Sequence, residues 1–120
     1  MRNILLYLPL LLICFAPALA RDLDASDARL LVENAPDYLK AVKRSHCPRT
    51  ELLWVERTTA AFQVRSHCPA GATGLIGNYF VDLKTGIIYR SIDGDQLVDS
   101  RRLRKLRKKL LATAPKTSSS

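Results

Sequence analysis

Apolar positions follow two different periods along this chain. Between residues 24 and 46, Leu31, Ala35, Tyr38, Leu39 and Val42 recur at i, i+4, i+7, i+8 and i+11. That spacing places them on one face of a helix. Asp24 or Ser26 can cap its start, and Lys40, Lys43 and Arg44 stand where cations complement the C-terminal end of the helix dipole. Pro36 interrupts the pattern. It predicts either one helix kinked at that point or a second helix with the proline in its first turn.

Beyond Pro48 the period shortens. The runs Thr50 to Thr58 and Ala60 to Cys68 are rich in strand-forming residues and are separated by a short polar turn. A Pro/Gly-rich stretch from Pro69 to Gly74 follows. Leu75 to Leu83 and Ile87 to Ile92 then flank Lys84-Thr85-Gly86, where Gly86 can supply the positive φ that closes a tight hairpin. Paired in order, these runs make a four-stranded antiparallel meander. Asp93-Gly94-Asp95 reads as a turn, and a last helix is expected from about Asp99 to Ala112. Its apolar stripe is narrow: Leu103, Leu106 and Leu110, with Leu111 beside it. Helices bracketing a run of strands predict an α+β fold with helices on one face of the sheet.

One strand breaks the usual alternation. Leu52-Leu53-Trp54-Val55 is apolar throughout. Regular alternation puts Leu52 and Trp54 on one face and Leu53 and Val55 on the other. Either helices cover both faces, or an apolar face stands open to a partner. Trp54 and Leu52 are therefore the candidate partner-binding residues.

The N-terminus has the three parts of a secretory signal peptide. Arg2 is the basic start, Ile4 to Phe15 is an uncharged apolar run broken only by Pro9, and Ala18-Leu19-Ala20 is a cleavage signal. The run is shorter than the roughly 20 residues a spanning helix needs. Lipidation at Cys14 would need a small residue where Ile13 stands. The expectation is cleavage near Ala20-Arg21 and a periplasmic or secreted protein. It comprises one small domain over residues 21–112 and a disordered tail over 113–120.

Export changes the reading of the cysteines. Cleavage leaves Cys47 and Cys68, each within the same pentapeptide: Arg44-Ser45-His46-Cys47-Pro48 and Arg65-Ser66-His67-Cys68-Pro69. Two His and two Cys would suit tetrahedral zinc, but adjacent His-Cys is poor ligand spacing and an exported thiol pair favours oxidation. A Cys47–Cys68 disulfide is expected, closing a loop worth about 3 kcal/mol on the chain-entropy model. No metal or cofactor is expected. The chain carries no nucleophile elbow, phosphate-binding glycine loop or H-E-x-x-H motif. A domain this small has little room for a deep cleft, so no catalytic residue is named and a non-enzymatic role is expected.

Charge adds the last feature. The net charge is +8. It comes from one segment: Arg101, Arg102, Arg104, Lys105, Arg107, Lys108 and Lys109 include no acid among them, whereas residues 21–100 carry balanced charge. Such a helix attracts polyanions. Without interleaved aromatics it is poorly suited to single-stranded nucleic acid, and export argues against a chromosomal target. Two functions are thus expected. The leading one is an exported non-enzymatic binding protein, of inhibitor or immunity type, acting on a protein partner. The alternative is binding to a polyanion or membrane surface through the last helix.

Overall fold

The structure, a computed structural model, describes residues 22–68, 74–92 and 94–113. The expected signal peptide, most of the Pro/Gly-rich loop, Asp93 and residues 114–120 of the expected tail lie outside the described residues. The fold is α+β: helices α1 (Ala25–Val32) and α2 (Pro36–Lys43), strands β1 (Pro48–Glu56), β2 (Thr59–Ser66), β3 (Gly74–Asp82), β4 (Ile88–Ser91) and β5 (Asp95–Val98), then helix α3 (Arg101–Ala112). The strands form one antiparallel meander in the order β1-β2-β3-β4-β5. The sequence reading gave four strands. The fifth is the short segment Asp95–Val98, whose first residue reads as part of a turn and whose remainder falls between that turn and the last helix in the sequence; it pairs with β4 through Tyr89 opposite Leu97 and Ile88 opposite Val98.

Pro36 divides the N-terminal helix in two. Its ring removes a donor and forces Ala35 out of the helical region, to φ −71° and ψ 150°. The helix then restarts with the proline in its first turn. The restart shifts the phase of the apolar stripe. Leu31 and Ala35 are buried as expected, but in α2 it is Ala41 that is buried while Val42 faces solvent. The start of α1 is fixed by a capping box. The Asp24 carboxylate accepts from the Asp27 amide at 2.8 Å, and the Asp24 amide donates to the Asp27 carboxylate at 3.3 Å.

The core lies between one face of the sheet and the helices. Ala60, Phe62 and Val64 of β2, Tyr79 and Val81 of β3 and Ile88 of β4 meet Leu31 and Val32 of α1 and Leu103 and Leu110 of α3. Gly77 leaves room for the Arg90 side chain, because a Cβ there would lie 2.7 Å from its Nε. Arg90 donates to the Ile76 carbonyl and pairs with Asp37 of α2 at 3.5 Å, tying helix to sheet. The β3–β4 turn closes through Gly86 at φ 76°, as its sequence predicts. A Cβ on Gly86 would come within 2.6 Å of Arg107 of α3, and Arg107 Nε donates to the Gly86 carbonyl at 3.1 Å. This close approach seats α3 on the hairpin.

Candidate functional site

Each pair of facing residues in the register puts both side chains on the same side of the sheet. On the side away from the helices, the pairs Trp54–Ala61, Ala61–Phe80, Phe80–Tyr89 and Tyr89–Leu97 run in one line across all five strands. The row is apolar or aromatic from end to end. The Trp54 and Phe80 rings lie 6.1 Å apart and tilted. Ala61 is fully covered beneath its neighbours, while Trp54 is 44% exposed, Tyr89 45% and Leu97 62%. Polar rows flank it on both sides, Gln63–Asn78–Ser91–Asp95 on one and Glu56–Thr59–Asp82 on the other. An apolar stripe bounded by polar residues is the usual anatomy of a binding patch.

The row exists because β1 is bulged. The register slips by one residue between Leu52 and Trp54, so Leu52 opposes Phe62 and Trp54 opposes Ala61. The expectation that Leu52 and Trp54 share a face is therefore corrected. Leu52 lies on the helix side, where it remains exposed, and Trp54 alone of the two joins the open face. Sequence reading missed Phe80, Tyr89 and Leu97 as their companions. The signal that locates the first two is the Gly86 hairpin, whose centre puts residue 80 opposite residue 89.

β1 is an edge strand. Its first part is engaged by the helices: Arg29 Nη1 donates to the Thr50 carbonyl at 2.8 Å, and the Tyr38 hydroxyl donates to the Pro48 carbonyl at 3.3 Å. From Glu51 to Glu56 every residue is exposed. The bulge, Pro48 and the charges Arg49, Glu51 and Glu56 are devices that discourage another strand from adding there.

The two pentapeptides lie side by side. Cys47 and Cys68 form a disulfide with Cα atoms 5.3 Å apart. Ser45 and Cys47 adopt left-handed φ of 60° and 50°, and the His67 amide donates to the His46 carbonyl at 2.9 Å. The bridge joins the start of β1 to the end of β2, bracing that end of the meander. His46 lines a cavity of about 210 Å³ with Asp37 and Arg90, whereas His67 lines a separate one of about 500 Å³ with Arg29, Glu51 and Arg65. Among the described residues no three His, Cys, Asp or Glu side chains converge as a metal site would require.

The basic residues of α3 lie as the sequence arranges them, around a buried leucine stripe. Leu103 and Leu110 are buried, and Leu106 and Leu111 pack against the core. Ser100 caps the helix, its hydroxyl accepting from the Leu103 amide at 3.1 Å. Arg101, Arg102, Arg104, Lys105, Lys108 and Lys109 are exposed, and Arg107 is half-buried. Asp99 serves two of them, pairing with Arg104 at 2.7 Å and with Arg107 at 3.9 Å. The Arg104 hydrogen bond leads in holding the Asp99 carboxyl below its ordinary range. Arg102 Nε donates to Asn34 Oδ1 at 2.9 Å, a contact to the α1–α2 turn that sequence reading did not anticipate.

The structure thus presents two unusual surfaces, an apolar row on the open face of the sheet and a basic face on the outer helix. Comparison with protein-family models, with curated proteins and with solved structures finds no match to this chain.

Proposed function

We propose that this chain is an exported, non-enzymatic binding protein that docks a protein partner on the open face of its sheet, in the manner of an inhibitor or immunity protein. The observation that carries this reading is the continuous row Trp54–Ala61–Phe80–Tyr89–Leu97, exposed at both ends and rimmed by polar residues. Tryptophan and tyrosine recur at the energetic centres of protein interfaces, because they bury much apolar area with little loss of rotamer freedom. A rigid sheet carries them here, so little ordering is needed on binding. The disulfide supports the exported setting, since such bridges persist in oxidising compartments.

The test is site-specific photo-crosslinking. A photoreactive residue at position 89 is expected to capture one defined protein from the periplasmic or secreted fraction of the native host. That adduct should vanish in the Trp54→Ser/Leu97→Ser background. The same probe at exposed Lys84, on the β3–β4 turn, should capture nothing. An adduct that survives loss of Trp54 and Leu97, or no adduct at position 89, contradicts the reading.

A further inference from the structure

The charge on α3 works against its own stability. Arg101/Lys105, Arg104/Lys108 and Lys105/Lys109 are like-charge pairs at i, i+4, each unfavourable by about 0.2–0.5 kcal/mol on an exposed helix. Arg101 and Arg102 occupy the first turn, which holds no acid and where the helix dipole disfavours cations. A helix needs none of this to dock through Leu103 and Leu110. Asp99, Gly86 and Asn34 compensate Arg104, Arg107 and Arg102. Among the described residues, however, the side chains of Lys105, Lys108 and Lys109 gain no ion pair or hydrogen bond, and rules broken without a structural return mark a functional surface.

One part of that surface is a shaped site. Arg102, Lys105 and Lys109 recur at i, i+3 and i+7 and, with Asn34 and Leu106, line a cleft of about 280 Å³ between α3 and the α1–α2 turn. Asn34 Nδ2 donates to the Leu30 carbonyl at 2.8 Å, and Asn34 Oδ1 accepts from Arg102 Nε. The Asn34 amide thus turns its oxygen to Arg102 Nε, which leaves the two terminal nitrogens of the Arg102 fork for a ligand. The floor is partly apolar, through Leu106. Arg101 and Lys108 extend the positive face beyond the cleft along the helix.

We propose that this face docks on an anionic phospholipid surface, with one headgroup phosphate seated in the Arg102–Lys105–Lys109 cleft. Three observations favour a lipid surface. The cations are spread along three turns of helix, which suits an array of headgroups better than a single small anion. The leucine stripe is consumed by the core, so the helix meets the bilayer by charge and does not insert. The helix has no aromatic side chain to stack on bases. The site lies on the helix side of the molecule, separate from the Trp54 row.

The experiment uses the mature, disulfide-bonded protein and sedimentation with vesicles. The vesicles are pure phosphatidylcholine or equal parts phosphatidylcholine and phosphatidylglycerol. Binding is expected to the anionic vesicles alone and to fall steeply with salt. Arg102→Gln/Lys105→Gln/Lys109→Gln should weaken it roughly a hundredfold, about fivefold for each cation lost. The charge-matched Lys40→Gln/Lys43→Gln/Arg44→Gln protein should keep most of it. The first variant should melt close to the parent, because relief of the Arg101/Lys105 and Lys105/Lys109 repulsion offsets loss of the Arg102–Asn34 hydrogen bond; an unchanged melting temperature separates loss of a site from loss of fold. Equal weakening by both variants overturns the proposal, as does binding that ignores salt. Saturable binding of inorganic phosphate or duplex DNA with no binding to vesicles also overturns it.

Discussion

The open face of the sheet and the outer face of α3 depart from an ordinary protein surface in opposite ways. The sheet leaves apolar side chains in water, and the helix crowds charges of one sign. In α3 the apolar and polar positions are sorted: the leucines go inward and every cation but the half-buried Arg107 goes outward. In the sheet the sorting is overridden by a single bulge in β1, which turns Trp54 to the open face while Leu52 stays on the helix side. The lesson is that similar apolar side chains contribute very differently according to which side of the sheet they occupy.

The sharpest way to break that comparison is to delete leucines from both surfaces. Leu103→Ala, in the buried stripe, should cost about 3 kcal/mol by urea denaturation. Leu97→Ala, at the exposed end of the row, should stay within about 0.5 kcal/mol while weakening partner capture. If Leu97→Ala costs as much as Leu103→Ala, the row is structural and the binding assignment falls.

The next effect tests the two sides of β3. Tyr79 faces the core and Phe80 the open face. Burial pushes the Tyr79 hydroxyl up to about 12. The unfolded chain releases that proton near pH 10, so stability contributed by the neutral phenol is intact below pH 10. It is lost as pH rises toward about 12, a decline on the order of 2 kcal/mol. Tyr79→Phe should flatten the decline between these limits in pH-dependent melting. An unchanged profile would mean that the hydroxyl reaches water and the helix side of the sheet is loosely packed.

Much of this fold is legible in the sequence because its signals are local. The Pro36 break, the Gly86 hairpin, the Ser100 cap and the leucine stripe of α3 each depend on residues within a few positions of one another. The disulfide is legible because only Cys47 and Cys68 remain once the expected leader is set aside. What stayed hidden depends on pairing across the chain. Asp95–Val98 is short and half polar, and only its partner β4 makes it a strand. The bulge at Leu53 carries no signal of its own beyond a run that is apolar on both sides. Regular alternation without it groups Leu52 with Trp54 and gives no link from Trp54 to Phe80, Tyr89 and Leu97. The basic face was legible because seven cations in nine residues leave the helix few places to point them. Its link to Asn34, 68 residues away, was not.

Trp54 is the chain's single tryptophan, so its fluorescence reports on the open face alone. The most direct test of two separate surfaces follows its emission in two titrations. The crosslinked partner, once purified, should shift the emission to the blue by burying the indole. Anionic vesicles, at concentrations that sediment the protein, should leave it unchanged. A blue shift with vesicles, or none with the partner, would contradict the account.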